Sequence, residues 1–449
     1  MKKKITAALI CVAIALSITA CSSPDNSKKP DEETSSSDSS DIDASSKENE
    51  PYPPESEWTS ADNFQCSEEN GELTIKSYIG KNAKVIIPKN INGKLVTQIE
   101  DLSFDNCSFL KSVVIPDSIT KIGQWAFSGC NELYSVVIPN SVTEIGRDAF
   151  NYTPWLEAKR RENPLVVING LLLIDGSTCK GSVTIPDGVT TICQNAFHFC
   201  ETITNVEIPK SVTKIGNGAF YGCKNLESAN ISDSVTEIGN EAFYECSALT
   251  AVNIPDGMTK INENTFFGCS SLTTAEIPDG VMEIGNDAFY GCNNLTNVDI
   301  PDSVTKIGSR AFLDTAWLID KRQEDPLVII NNILIDGKTC SGSVIIPDNV
   351  IEIGDGAFGH CTALTGITIP DSVTEIGDGA FFRCEALTSV TIPYSVTQIG
   401  FRAFCGCSSL NSAIIDKSVT QVGNLAFSQT PLSQDTVDWD LDLGFVDIY

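Results

Sequence analysis

Apolar side chains recur along most of this chain in one fixed order with a period of 23 residues. In the unit that begins at Leu387, the residues Leu387, Val390 and Ile392 are the apolar positions of a predicted short strand. Further apolar positions of this unit are Val396, Ile399, Ala403, Phe404 and Cys407. An Ile–Pro pair marks the same place in other units, at Ile115, Ile138, Ile208, Ile254, Ile277, Ile300, Ile369 and Ile392. Such a period predicts a solenoid, whose product is a long ordered surface.

The spacing of these positions, L-x-x-V-x-I followed by V-x-x-I and A-F-x-x-C, resembles the leucine-rich repeat. The longer phrase P-x-S-V-T-x-I-G-x-x-A-F-x-G-C is similar to that of the bacterial BspA-like subfamily, and the resemblance covers roughly residues 63–429. It implies a leucine-rich-repeat-like solenoid with one short parallel strand per turn, built mostly of strand and loop. It also implies a surface protein that adheres to host proteins, other cells or surfaces.

Two related inserts interrupt the repeat, at residues 153–176 and 315–337. Each contains W-L-x-x-K-R, which predicts a short helix that ends at Pro164 or Pro326. Between the two apolar runs that follow, each insert carries a polar pair typical of a tight hairpin turn: Asn169–Gly170 and Asn331–Asn332. We therefore expect modified rungs at residues 151–182 and 313–343 that protrude from the solenoid, with a β-hairpin as the candidate structure.

The first 20 residues predict a secretory signal, because three lysines precede an apolar run from Ile5 to Leu16. The following Ile18–Cys21 resembles the lipobox of bacterial lipoproteins, which implies that Cys21 carries a lipid and anchors the chain on the extracellular face of the cell membrane. A membrane-spanning helix is the alternative, but the apolar run is short and stops at C-S-S-P-D.

The amino-acid composition indicates how the rest of the chain is divided into segments. Residues 21–60 are mainly Ser, Asp, Glu, Lys and Pro with few large apolar side chains, which predicts a disordered tether. We expect residues 61–100 to form an N-terminal capping region, 101–430 the leucine-rich repeat solenoid, and 431–449 an acidic C-terminal tail.

The net charge and the small number of histidines argue against two classes of function, nucleic-acid binding and catalysis. A net charge of −29 leaves no basic patch for nucleic acid. The two histidines, His198 and His360, fall seven rungs apart and cannot share a site, and the sequence holds no phosphate loop, G-x-S-x-G or H-E-x-x-H motif. We therefore expect neither enzymatic activity nor a cofactor.

Ten of the 17 cysteines occupy one inward position of successive units, which is the pattern of a small buried hydrophobe. They are Cys107, Cys130, Cys200, Cys223, Cys246, Cys269, Cys292, Cys361, Cys384 and Cys407. We expect this column to be reduced. A zinc site is not expected, because the close pair Cys405 and Cys407 has no matching second pair.

The candidate binding site lies on the strands of the rungs between the two inserts. In L-x-x-V-x-I, the residue between V and I and the one before V point away from the core, which we expect to be the concave face. The candidate residues there are polar: Asn205, Glu207, Asn230, Asn253, Glu276, Asn297 and Asp299. We call them the polar strip. A merely solvated face is the alternative interpretation of the same residues.

The partner expected for the polar strip is a protein with exposed Lys and Arg, or a glycan, on a host or neighbouring cell. A second hypothesis is a surface scaffold or glycan-capturing accessory in nutrient uptake. Aromatic platforms would favour that hypothesis, yet the predicted strand positions are nearly free of them.

Overall fold

The computed structural model describes residues 52–432 and the backbone of residues 437–439. The predicted signal peptide, Cys21, residues 21–51 of the predicted tether and most of the predicted acidic tail lie outside the described residues. Within the described part of the chain, no helix is long and apolar enough to cross a membrane.

Each regular turn contributes two short parallel strands, which belong to two separate ladders. Ser228–Ile231 pairs with Ile203–Ile208 in the first ladder, and Glu237–Ile238 pairs with Lys214–Ile215 in the second. Both pairings follow the 23-residue period, so that equivalent residues of successive turns lie side by side. The predicted parallel solenoid is confirmed, and the second ladder is present in addition to the one strand per turn that we expected.

The strands of the first ladder are Lys84–Ile86, Ser112–Val114, Ser135–Val137, Gly181–Thr184, Ile203–Ile208, Ser228–Ile231, Ala251–Val252, Thr274–Glu276, Asn297–Asp299, Gly342–Ile345, Leu364–Thr368, Ser389–Ile392, Ser412–Ile415 and Val437–Trp439. The parallel strands of the second ladder are Glu72–Tyr78, Lys94–Ile99, Lys121–Ile122, Glu144–Ile145, Leu172–Asp175, Thr191–Ile192, Lys214–Ile215, Glu237–Ile238, Lys260–Ile261, Glu283–Ile284, Lys306–Ile307, Ile333–Asp336, Glu352–Ile353, Glu375–Ile376, Gln398–Ile399 and Gln421–Val422. The remaining strands run antiparallel to members of the second ladder and are Phe64–Glu69, Asn90–Ile91, Val166–Ile168 and Val328–Ile330. Two single-turn 3₁₀ helices, Glu55–Glu57 and Ala61–Asn63, precede the first strand.

The third side of each turn is the A-F-x-x-C segment, which has turns instead of a strand. Its backbone still bonds to the next rung, as where Phe220 N–H donates to Ala242 O at 2.8 Å. The phenylalanines of this segment are buried and stack on one another from rung to rung, with ring centroids 4.7–5.6 Å apart. We call the outward side of these segments the outer turn face.

The cysteine column lies beside the phenylalanine stack. The thiol of Cys246 is fully buried and donates to Phe220 O at 3.1 Å, and six other cysteines of the column make the same bond at 3.0–3.2 Å. All 15 cysteines of the described residues are free thiols, and Cys66 alone among them is not buried. The column therefore serves packing and satisfies backbone carbonyls.

Each insert forms a nine-residue helix followed by a β-hairpin. Helix α1 spans Pro154–Glu162 and helix α2 spans Ala316–Glu324, both capped by a threonine side chain and both ending before the predicted prolines. The hairpin turns lie at the predicted polar pairs, where Asn169–Gly170 and Asn331–Asn332 have positive φ. The second strands of the hairpins, Leu172–Asp175 and Ile333–Asp336, pair in parallel with the next turn, so that each hairpin joins the second ladder.

A charged clamp fixes each helix to its hairpin. Arg160 donates from Nε and a terminal nitrogen to the two carboxylate oxygens of Asp175, at 3.0 and 2.6 Å. Arg322 and Asp336 repeat this bidentate geometry at 2.8 and 2.7 Å. Both aspartates are buried, so the pairing compensates charges that would otherwise be costly to desolvate.

Both ladders break at one rung between the inserts. In a regular rung the glycine after V-T-x-I approaches the previous rung so closely that a Cβ on Gly285 would lie 2.7 Å from Glu263 N. Asn262 stands where this glycine is expected, and its side-chain amide, in place of the backbone N–H, donates to Ile238 O at 2.6 Å. The larger residue thus accounts for the end of the second ladder at Glu237–Ile238 and its restart at Lys260–Ile261.

Because the backbone of one rung approaches the regular glycines of the next so closely, we expect a Gly→Ala substitution there to lower the stability of the protein. A Cβ on Gly400 would lie 2.5 Å from Asp378 N, so Gly400→Ala should destabilise the protein by about 1–3 kcal/mol through overpacking. Gly366→Ala is the matched control, because its Cβ would meet only the movable Ser343 hydroxyl, at 3.2 Å, and should change stability by less than about 0.5 kcal/mol. Urea denaturation measures both, and equal effects would contradict this account of rung stacking.

The buried thiols predict a loss of stability at alkaline pH. Burial raises the pKa of Cys130 and Cys292 to about 12, whereas an unfolded cysteine titrates near ~8.5. A raised pKa contributes stability that is present below ~8.5 and is lost as the pH rises, because only the unfolded chain releases the proton easily. The melting temperature should therefore fall progressively as the pH rises from ~8.5 towards 12, and Ellman's reagent should count about 15 thiols of the described part after unfolding but few in the native protein. A mostly oxidised cysteine column would overturn this prediction.

Candidate binding surface

The first ladder brings the members of the polar strip into register. Asn205 lies opposite Ser228, and Glu207 lies opposite Asn230. Two rungs further along, Asn297 lies opposite Thr274, and Asp299 lies opposite Glu276. Asn205 is half-buried and the other six strip residues are exposed, so they lie on one outward face in two neighbouring columns, which the break in the first ladder divides into an N-terminal and a C-terminal half.

In the N-terminal half of the strip, the side chains bond to one another across rungs. Asn230 Nδ2 donates to Glu207 Oε2 at 2.6 Å. Asn205 Oδ1 accepts from Ser228 Oγ at 2.7 Å, and its Nδ2 donates to Ser182 Oγ at 3.3 Å. These side chains are held in fixed positions, which lowers the entropy lost when a partner binds them.

Asn253 has a structural role within the same strip. Its Oδ1 accepts from Ile231 N–H at 3.0 Å and its Nδ2 donates to Ile231 O, so the side-chain amide pairs with the backbone of the previous rung. The first ladder stops beside it, at Ala251–Val252, and restarts at Thr274–Glu276. Asn253 therefore replaces part of the ladder and is not free to meet a partner.

The C-terminal half of the strip is unengaged. Glu276, Asn297 and Asp299 make no side-chain hydrogen bond or ion pair with any described residue. Glu276 and Asp299 are directly opposite one another, an arrangement of like charges that is unfavourable in an isolated sheet. An incoming cation would relieve this repulsion, so these two carboxylates are the strongest candidates for contact with a basic partner.

Apolar residues continue the column beyond the polar strip. Ile345 and Ile414 occupy the position equivalent to Glu207 and are 72% and 52% exposed, and Val137 on the other side is 38% exposed. An acidic centre with exposed aliphatic residues at both ends suits a protein surface, which offers both kinds of complement.

The second ladder carries a different pattern of charge, with lysine and glutamate on adjacent rungs. Lys214 pairs with Glu237 at 2.9 Å and Lys260 with Glu283 at 3.0 Å. The first pair is exposed and the second is half-buried, and such surface pairs contribute only about 0–1 kcal/mol each. Their charges are compensated, so between the two inserts the first ladder is the stronger candidate for a charged partner.

The histidines and cysteines form no catalytic or metal-binding group in the described residues. His198 and His360 lie on the outer turn face of different blocks of the solenoid, and burial lowers the pKa of His198. No set of three or more His, Cys, Asp or Glu side chains in the described part is placed to hold a metal ion.

The sequence analysis missed an aromatic column on the outer turn face. The residue after the buried phenylalanine in successive rungs is His198, Tyr221, Tyr244, Phe267 and Tyr290; the last four rings stack on one another, and His198 is tilted against Tyr221. The signal was available in the sequence, because the five rings recur at intervals of 23 residues.

The family model of the BspA-type leucine-rich repeat region matches residues 72–169, 176–292, 259–323 and 328–441, with six copies. This chain therefore belongs to the BspA-type leucine-rich repeat family. Among solved structures it is similar to a leucine-rich repeat protein from Bacteroides ovatus, with 23% identity over 83% of this chain and 92% of that chain and a TM-score of 0.36. It is also similar to a leucine-rich cell surface protein from Faecalibacterium prausnitzii, with 27% identity over 84% and 96% and a TM-score of 0.35. No curated protein matches the chain.

Proposed function

We propose that this protein is a lipid-anchored adhesin of the bacterial cell surface that binds another macromolecule without catalysis. The observation that carries the proposal is the outward column of the first ladder, which presents uncompensated carboxylates between exposed aliphatic residues. Membership of a leucine-rich repeat family supports a role in protein binding. The preferred partner is a protein with exposed lysine and arginine on a host or neighbouring cell.

The glycan-capturing alternative has less support on this surface. Sugar rings are commonly held against the open faces of aromatic side chains, whereas the polar strip contains carboxylates and amides. A solenoid scaffold in nutrient uptake stays the second hypothesis, and a glycan bound at the strip would favour it over adhesion to protein.

Three carboxylates of the strip provide the direct test. The triple variant Glu207→Ala, Glu276→Ala and Asp299→Ala should weaken binding to a basic matrix protein roughly tenfold, which corresponds to about 1.4 kcal/mol, and should flatten the salt dependence. Surface plasmon resonance against a panel of purified matrix proteins and a glycan array measures the effect. Asn253 is left unchanged, because its amide belongs to the ladder.

The matched control removes three exposed carboxylates from the second ladder, by Glu72→Ala, Glu144→Ala and Glu237→Ala. It alters the net charge equally, so a specific strip predicts nearly unchanged affinity for this control. Melting temperatures of both variants should stay close to that of the native protein. If the strip variant binds as tightly as the control, the partner site is elsewhere.

The lipid anchor predicts a separate result in cells. Cys21→Ser removes the thiol that would carry the lipid, so the protein should move from the membrane fraction to the soluble or secreted fraction. Cys66→Ser is the control, because that residue lies in the folded part and should leave fractionation unchanged. Membrane association that survives Cys21→Ser would reject lipid anchoring while leaving the strip untested by this result.

A further inference from the structure

The outer turn face presents an aromatic ladder on the rungs that also carry the polar strip. The ladder consists of His198, Tyr221, Tyr244, Phe267 and Tyr290. Neighbouring ring centroids are 4.5 Å apart for Tyr221 and Tyr244, 4.5 Å for Tyr244 and Phe267, and 4.8 Å for Phe267 and Tyr290. All five side chains are half-buried, so the ladder is an accessible surface and not part of the core.

The geometry of the stack limits what it can recognise. The three rings Tyr221, Tyr244 and Phe267 lie nearly parallel, with interplanar angles of 5° and 6°, and so cover one another's faces. At one end the Arg310 guanidinium lies over the Tyr290 ring, 5.6 Å from its centroid. The ladder therefore offers ring edges and hydroxyl groups, which suit packing against another aromatic ring edge-to-face better than stacking on a flat sugar.

Carboxylates flank the aromatic ladder. Glu241 and Glu245 lie on the rung of Tyr244, and they help to raise the pKa of the Tyr221 and Tyr244 hydroxyls, after burial for both rings. Neither glutamate has an ion-pair partner among the described residues. Arg310 gives no compensation to them, because it bonds to Asp287 at 2.7 Å.

A patch of the opposite charge lies on the same outer turn face, beyond the second insert. It consists of Phe382, Arg383, Phe401 and Arg402, and we call it the arginine patch. The Arg383 guanidinium lies 5.5 Å from the Phe382 ring centroid and that of Arg402 lies 4.9 Å from the Phe401 centroid. Both arginines are exposed and have no ion pair with a described residue, although the whole chain has 59 acidic and 30 basic residues.

The four charged residues of the two surfaces occupy backbone positions that favour glycine. Glu241, Glu245, Arg383 and Arg402 have φ between 53° and 59°, in the left-handed region. Glycine occupies the equivalent positions of other rungs: Gly218, Gly222, Gly268, Gly291, Gly356, Gly379 and Gly406. Other rungs carry larger residues with positive φ at these positions, such as Asn264, Arg310 and His360, so the backbone there accepts a side chain as well as glycine.

We infer that the arginine patch of one copy of this chain docks on the aromatic ladder of a second copy. The planar guanidinium groups of Arg383 and Arg402 match the carboxylates of Glu241 and Glu245 in charge and in bidentate hydrogen bonding. The rings of Phe382 and Phe401 lie beside these two arginines and add apolar area that can pack against the rings of the ladder.

Each copy carries both surfaces, so the contact can be made twice in a closed pair or once per neighbour in a row. The inference is independent of what the polar strip binds, because the strip lies on the first ladder and the contact lies on the outer turn face. Failure of the strip experiment and failure of self-association are therefore separate results.

Charge-reversal variants test the proposed contact between the arginine patch and the aromatic ladder. Sedimentation velocity is measured on the full chain with Cys21→Ser, which removes the proposed lipid, at low and high salt. The native surfaces should give a concentration-dependent dimer or larger species that high salt weakens. Glu241→Arg with Glu245→Arg, or Arg383→Glu with Arg402→Glu, should each raise the dissociation constant at least tenfold.

The equimolar mixture of the two charge-reversed proteins should associate again, because each then presents what the other has lost. A control with Lys214→Glu and Glu237→Arg reverses a pair on the second ladder and should leave association unchanged. A protein with native surfaces that stays monomeric at all concentrations overturns the inference, and so does a mixture that fails to associate. A monomer that binds a synthetic Phe/Arg peptide would also overturn it, in favour of a foreign basic partner.

Glycine variants separate loss of contact from loss of folding. Glu241→Gly with Glu245→Gly, and Arg383→Gly with Arg402→Gly, restore the residue that other rungs have at these positions. Both variants should keep or raise the melting temperature and still lose self-association. Association that persists at native strength in both glycine variants would overturn the assignment of these residues.

Discussion

The structure depends on one constraint, which is that every turn must hydrogen-bond its backbone to the next turn about one period further along. All three sides of the turn obey it, two through strands and the third through the A-F-x-x-C segment. Small or flat residues then become obligatory where two turns touch. Gly285 permits the backbone approach, Cys246 fits beneath a carbonyl, and the phenylalanine rings lie flat on one another.

The same constraint explains how the solenoid accommodates rungs that differ from the regular repeat. Where Asn262 replaces the glycine, its own amide bonds to Ile238 O, and Asn253 does the same for Ile231. Where an insert replaces a regular rung, its glycine packs against the next phenylalanine, as Gly176 does with Phe197 and Gly337 with Phe358. At the rung of Asn262 the ladder bonds are broken while the apolar core continues past it, whereas the core divides into separate clusters at the two inserts.

Features that repeat with the period or use strong turn chemistry were predictable from the sequence. The cysteine column, the insert helices and the hairpin turns at Asn169–Gly170 belong to this kind. The second ladder was not predicted, because strands of two residues show no alternation that could distinguish them from a loop. The double hydrogen bond of Asn253 was also missed, since it depends on the distance between two rungs and not on the unit itself. The register of the polar strip was predictable, whereas the difference between its bonded and unbonded halves was not.

The hairpins also bear on how such an array begins to fold. A regular strand pair closes a loop of a whole period, whereas four antiparallel pairs each close a loop of a few residues: Phe64–Glu69 with Glu72–Tyr78, Asn90–Ile91 with Lys94–Ile99, Val166–Ile168 with Leu172–Asp175, and Val328–Ile330 with Ile333–Asp336. Short loops lose less entropy on closing, so these four hairpins are the natural nuclei from which neighbouring turns are added. The block of the second ladder from Lys260–Ile261 to Lys306–Ile307 has no hairpin of its own among the described strands. Folding of these rungs must therefore proceed from the turns on either side. The same rungs carry, on their first-ladder strands, the unbonded half of the polar strip.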